Sequence, residues 1–211
     1  KNGLLSFIAP RFPNWSWVAY AMDTTYAIID SFEIVGPSYF TDSHDFLMLD
    51  NGNYILLGGE YQYLDMTQYG GIEFHRVEGC IIQETSDEGE IIFEWNSFDY
   101  FNVEDGLHLS FTTQPIDYVH ANSIEVDHDG NFILSSRHLC EITKIDRLNG
   151  DIIWRLGGIN NEFTFTENIN NGHITPQPFC RQHDVRVLDN GNITFFDNGN
   201  EKNPRFSRVV E

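Results

Sequence analysis

Three histidines open strand-like runs that end in the same kind of turn. His44 stands in "SHDFLMLDNGN", His120 in "VHANSIEVDHDGN" and His183 in "RQHDVRVLDNG". Arg137, in "SSRH", follows on the run after His120. Neutral imidazole is a nucleophile, charged imidazole is a general acid, and a guanidinium is a permanent cation with a planar fork. Histidines at one register of successive units, beside an arginine, are therefore suited to chemistry on an anion. Two plainer readings stand next to this one. A lone histidine at a strand start more often fixes a turn by hydrogen bonding, and three converging imidazoles can hold zinc in a hydrolase or lyase. Arg137 favours an anion over a metal cation.

The elements that must position these side chains are short β runs punctuated by turn signals. "YILLGGE", "CIIQET" and "IIFEW" form one series, "SIEVD", "NFILSS", "EITKID" and "DIIWRL" a second, and "DVRVL" and "ITFFD" open a third. Asn51-Gly52, Asp129-Gly130, Asn149-Gly150 and Asn190-Gly191 between them are hairpin chemistry. No sustained 3.6-residue apolar pattern with caps occurs, so the chain reads as all-β. Strands are expected at 46–50, 53–58, 124–128, 131–136, 152–156, 185–189 and 193–197.

Gly52, Gly130 and Gly191 mark one turn in three units, 78 and 61 residues apart. A minimal four-stranded blade takes roughly 40–50 residues, so insertions are required, and 96–115 and 160–178 supply them. Repeated antiparallel units of this kind predict a β-propeller of four-stranded blades, with 1–211 as one domain. Only three to four blades can be counted, against the roughly 4–8 that close a propeller. The expectation is a fragment of a larger propeller; closure using residues 1–40 is the alternative. Open sheet edges would invite self-association or pairing with the missing blades.

The 211 residues carry a formal charge of −20, which repels nucleic acid and anionic membrane. No apolar run approaches the roughly 18 residues of a membrane span. The sequence opens on Lys1, which reads as a processed or trimmed N-terminus. Cys80, Cys140 and Cys180 lack metal-type spacing. Two could pair in an oxidising compartment, but buried thiols are the expectation. His138 follows Arg137 along the run and should face the other side. His75, His108, His128 and His173 fall in apparent loops and read as solvated. "DHDGN" resembles the start of a calcium loop, lacks the distant bidentate Glu, and reads as a plain turn.

Taken as an ordered set, "HDFLMLDNGNYILLGGE", "HANSIEVDHDGNFILSSRH", "IIWRLGG" and "RQHDVRVLDNGNITFFDNGN" resemble the arylsulfotransferase family that works without a nucleotide sulfate donor. The resemblance covers roughly residues 40–200. It implies a six-bladed propeller with an axial site, an extracytoplasmic location, no cofactor and no metal. It also implies aryl sulfate and phenolic partners. By motif, His183 matches the nucleophile that becomes sulfohistidine, and His44, His120, Asn122 and Arg137 match the group that holds the sulfate. Sulfuryl transfer resembles phosphoryl transfer, with a loose transition state whose charge sits on peripheral oxygens. It needs a nucleophile and an anion cradle more than a strong base. His44 and His120 could donate to those oxygens or protonate the leaving phenolate, and Asn122 could orient an imidazole or hold an oxygen. Clustered histidines beside Arg137 would keep His183 neutral. A silent propeller that serves only in binding or assembly is the competing reading.

Overall fold

A computed structural model describes residues 3–165, 178–201 and 203–211. The chain is all-β, 48% strand and 5% helical, in curled antiparallel sheets. Four sheets follow one another along the sequence. The first holds β1 (Leu5–Arg11), β2 (Ser16–Met22) and β3 (Ile28–Phe32). The second holds β4 (Tyr39–Met48), β5 (Tyr54–Leu64), β6 (His75–Thr85) and β7 (Ile91–Asn96), with β8 (Ile116–Asp117) added in parallel to β6. The third holds β9 (Ala121–Val126), β10 (Phe132–Ser136), β11 (Glu141–Ile145) and β12 (Ile152–Gly157). The fourth holds β13 (His183–Val187), β14 (Ile193–Asp197) and β15 (Arg208–Val210). The expected strands all fall on elements of the last three sheets. Residues 5–32, which carry none of the Asx-Gly turns, form a sheet of their own.

The repeated turn has one chemistry in three places. Gly52, Gly130 and Gly191 adopt φ of 91°, 86° and 84°, a region that costs a residue with a Cβ but not glycine. Their N–H groups donate to the carbonyls of Leu49, Asp127 and Leu188. The Oδ1 atoms of Asn51, Asp129 and Asn190 each accept from the backbone two residues on. The "DHDGN" segment is such a turn, and the Lys144 ammonium fills the place a cation would take, between Asp127 (2.5 Å) and Asp129 (2.6 Å).

Strand alternation builds a separate core between each pair of consecutive sheets. On β5, Tyr54 and Leu56 join Ala19 and Phe46 against the first sheet, while Ile55 and Leu57 face the opposite way. On β10, Phe132 and Leu134 pack with Trp95, Val77 and Tyr118 toward the second sheet. Ile133, between them, packs with Phe179, Val185 and Phe195 toward the fourth. Burying each large apolar side chain among these stabilises the fold by about 1.5–3 kcal/mol, so the second and third sheets each depend on both neighbours.

The first strands of the four sheets lie side by side, β1 against β4, β4 against β9 and β9 against β13. Polar ties fix their heights. Asp45 Oδ2 accepts from the Ile124 N–H (3.1 Å). Ser123 Oγ accepts from the Val185 N–H (2.9 Å), and Asn122 Nδ2 donates to the Gln182 carbonyl (2.8 Å).

Three expectations are corrected here, for the cysteines, His75 and His108. Cys140 and Cys180 are joined in a disulfide, and only Cys80 is a buried thiol. His75 begins β6, is 1% exposed, and bonds through Nε2 to the Thr113 carbonyl. The 96–115 insertion is ordered by 3₁₀ turns at Ser97–Asp99 and Val103–Asp105 and returns to the sheet as β8. Its His108 sits against Glu201 rather than in open solvent. Most of the 160–178 insertion, with His173, lies outside the described residues.

Candidate functional site

Each of the three histidines stands at an irregularity in, or at the start of, the first strand of its sheet. In β4 the pairing with β5 shifts between Thr41 and Phe46, around His44. His120 precedes β9 at φ 50°, and Arg181 and Asp184 flank His183 at φ 62° and 58°. Such backbone costs on the order of 1–3 kcal/mol per residue and persists only where other bonds hold it. Those bonds are present. Asp42 Oδ1 accepts from the His44 N–H (2.7 Å) and Asp117 Oδ1 from the His120 N–H (2.9 Å).

The side chains meet. The His44 ring centroid is 5.0 Å from that of His120 and 6.4 Å from that of His183. His120 is 4.6 Å from His138. Arg137 lies near enough for its charge to oppose protonation of both His44 and His183. Its Nη1 also donates to His138 Nε2 (2.5 Å). His138 thus turns into the cluster instead of away from it, because β10 ends at Ser136 and residues 137–140 form a turn. Strand alternation does not apply there.

One nitrogen of each ring is committed. Nδ1 of His44 meets Asp42 Oδ1 (2.6 Å), Nδ1 of His120 meets Asp117 Oδ2 (2.5 Å), and Nδ1 of His183 meets the Arg181 carbonyl (3.1 Å). Carboxylate and carbonyl oxygens only accept, so these contacts assign the hydrogen to Nδ1 and leave Nε2 as the working atom in all three. Their anchors differ in charge. The hydrogen bond that His44 donates to Asp42, more than burial opposes it, raises the His44 pKa. Burial lowers that of His183, against the raising effect of the Arg181 carbonyl bond, and the charges of Arg137, His44 and His120 add to the lowering. Burial, then Arg181, also lowers that of Arg137.

Asn122 is buried beside these groups, but its Nδ2 is engaged on Gln182, and its Oδ1 has no partner among the described residues. Gln182 is fully buried and donates from Nε2 to the carbonyls of Glu141 (2.8 Å) and Ser136 (3.1 Å). Arg181 is held by Glu201 (3.3 Å) and the His108 carbonyl (3.3 Å). The Cys140–Cys180 bridge ties the Arg137 turn to this segment. Sequence reasoning assigned no role to Asp42, Asp117, His138 or Arg181. Their signal was proximity: an aspartate two or three residues ahead of His44 and His120, and an arginine two ahead of His183.

Asp117, His120 and His138 offer donor atoms within 4.8 Å of one another. A metal does not fit them as they stand. His138 donates from Nδ1 to the Asp117 carbonyl (2.6 Å) and accepts at Nε2 from Arg137, so no lone pair remains for an ion. A guanidinium in contact with a ligand would oppose a cation further.

The family description "Arylsulfotransferase (ASST)" matches residues 13–209. The chain belongs to the arylsulfotransferase family. No curated protein matches the sequence at a significant level. Among solved structures the chain is similar to a Bacteroides caccae protein of unknown function. Identity there is 12%, with 93% of this chain and 52% of that one covered, at a TM-score of 0.47. It is also similar to a catalytically inactive virginiamycin B lyase from Staphylococcus aureus with Quinupristin. Here identity is 9%, with 99% and 56% covered, at a TM-score of 0.45. The chain therefore spans about half the length of these two structures. No helix among the described residues is long and apolar enough to cross a membrane.

Proposed function

We propose that this arylsulfotransferase-family chain transfers a sulfuryl group from an aryl sulfate to a phenol through His183. The observation that carries the reading is the different anchoring of like rings. His183 is held by a neutral carbonyl and kept neutral, whereas His44 is held by a carboxylate that favours its charged form. A nucleophile needs the first condition and an oxyanion donor the second.

In this reading His183 Nε2 attacks sulfur and the S–O bond to the aryl group breaks, leaving a sulfuryl group on the imidazole. Arg137, His44 and His120 hold the peripheral oxygens, where the charge of a loose transition state gathers. The acceptor phenol then attacks sulfur and frees His183. Asn122 acts in positioning, through the Gln182 backbone beside His183. The four sheets are read as consecutive blades of a propeller, six-bladed as the family implies. The Cys140–Cys180 bridge supports an extracytoplasmic site of action.

The test is release of p-nitrophenol from p-nitrophenyl sulfate without acceptor. About one equivalent per protein is expected, with a sulfuryl adduct on His183 by mass spectrometry. His183→Ala abolishes burst and turnover. Arg137→Ala stays folded and loses on the order of 10²–10³ in rate, as for removal of a strong oxyanion donor. Chelators leave the rate unchanged. Full activity in His183→Ala, or loss on chelation, refutes the mechanism. A folded protein with no burst points to a binding module.

A further inference from the structure

β5 and β6 are the longest strands, at 11 residues each, and run on past the part of the sheet that β7 covers. On this extension Glu78 pairs in register with Tyr61 of β5 on one side and Asp117 of β8 on the other. Tyr61 hydrogen-bonds the Glu78 carboxyl. Asp117 is the residue that anchors His120. A cavity of about 60 Å³ opens between them, walled by Glu78, Asp42, Asp117, His120 and Cys80. That space admits a hydroxyl or a few waters and excludes an aromatic ring. Contacts lead to it from the nucleophile: His183 meets His44, His44 meets His120, and His120 forms the cavity wall.

We propose that Glu78 is the general acid and base of the transfer, reached by the phenolic oxygen at the end of the site remote from His183. The assignment rests on the sulfuryl-transfer reading above. In the first half-reaction the N–S bond forms, the S–O(aryl) bond breaks, and the Glu78 proton passes to the leaving oxygen, giving phenol and a Glu78 carboxylate. In the second half that carboxylate takes the proton of the acceptor phenol as its oxygen attacks sulfur and the S–N bond breaks. Glu78 ends protonated, as it began, and no other reactant is needed. His44 and His120 are then left to hold oxygens throughout.

The surroundings suit that task. Burial, and then the charges of Asp117 and Asp42, raise the Glu78 pKa to about 7, against the opposing effects of the Tyr61 hydrogen bond and His120. Arg76, on the same strand, is spent over the Tyr61 ring at 4.8 Å, and Cys80 below is a fully buried thiol. A carboxyl poised near neutrality can both give and take a proton.

The test is the dependence of the burst rate on the leaving phenol, across aryl sulfates from p-nitrophenyl to p-methylphenyl. The wild type should show a shallow dependence. E78Q, which keeps shape and polarity but has no proton to give, should steepen it, losing about 10²-fold more on p-methylphenyl than on p-nitrophenyl sulfate. With p-methylphenyl sulfate the wild-type rate should show an added fall as pH rises through about 7, beyond the His44 limb shared by all donors, and this added limb should vanish in E78Q. A purely structural lesion would lower every donor alike and keep the limb. Parallel loss across the series overturns the assignment to Glu78 and leaves the sulfohistidine reading intact. A wild-type protein with no burst from any donor overturns that reading and this one together. Carboxyl ¹³C NMR gives a check without turnover: a Glu78 signal already ionised at pH 5 excludes the acid role.

Discussion

Gln182→Leu tests whether a fully buried amide holds the site in place. Leucine keeps most of the volume and removes the amide. Nε2 has two hydrogens, and its best acceptors are the Glu141 carbonyl at 2.8 Å and the Ser136 carbonyl at 3.1 Å. Stranding each acceptor costs about 1–3 kcal/mol. The substitution also deletes a buried Oε1 that has no partner among the described residues, which offsets about 1 kcal/mol. The net expected loss is about 1–5 kcal/mol, against the roughly 5–15 kcal/mol of an ordinary domain, so the variant is expected to fold. Function should suffer more than this suggests. His183 rests its Nδ1 on the Arg181 carbonyl, one residue before Gln182, and Asn122 grips the Gln182 carbonyl itself. A displacement of about 1 Å in a reacting atom costs on the order of 10² in rate. Urea unfolding gives the first quantity, and the p-nitrophenol burst rate, measured where the variant is fully folded, gives the second. A stability change below about 0.5 kcal/mol would refute the hydrogen-bond accounting. A full stability loss with an intact burst would refute the link from Gln182 to His183.

Two further outcomes follow from the anchors and the bridge. With p-nitrophenyl sulfate, whose leaving group needs little proton assistance, kcat/KM should fall on both sides of a plateau. The acid limb is protonation of His183, displaced below 6.5 because burial lowers its pKa. The alkaline limb is loss of the His44 proton, displaced above 6.5 because Asp42 raises it. Asp42→Asn should move the alkaline limb toward acid and leave the acid limb in place; a pH–rate series on both proteins checks it. Replacing Cys140 and Cys180 by Ser opens a bridge between positions 40 apart, expected to cost about 4 kcal/mol by chain entropy. Urea unfolding of the double variant measures that, and a loss under 1 kcal/mol would show the bridge to be incidental.

The parts of the fold that were legible are those whose signals are local. The Asp/Asn-Gly turns declared themselves because the glycine conformation and the Asx hydrogen bond are properties of four adjacent residues. The first sheet did not. β1 and β3 expose Leu5, Phe7, Ile28 and Ile29, so their apolar residues do not mark a single buried face. The turn from β2 to β3 is built on Asp23, whose Oδ1 accepts from the Thr25 and Ala27 N–H groups without a glycine. His138 was misplaced by carrying strand alternation two residues past the end of β10. The cysteine pair was invisible because nothing local links positions 140 and 180; only stacking the third sheet on the fourth does.

The site shows the same division at finer scale. That His44, His120 and His183 belong to the first strands of successive units could be read from the chain; what makes them chemically unequal could not. The difference lies at Nδ1. Asp42 and Asp117 supply carboxylates from nearby residues, and both were in plain view in the sequence, but nothing there says their oxygens reach the rings. At His183 the side chain two residues earlier is Arg181, which turns away to Glu201 and leaves only its carbonyl for the imidazole. A ring held by a carbonyl gains no charge partner, and buried beside Arg137, His44 and His120 it is pushed toward the neutral form. Burial, together with a backbone anchor at Arg181 where the other rings have a carboxylate, thus separates the proposed nucleophile from the donors. Swapping that anchor inverts the roles. An acidic side chain placed at Nδ1 of His183 would favour its charged form, and a more basic ring keeps less of the free lone pair that attack on sulfur requires.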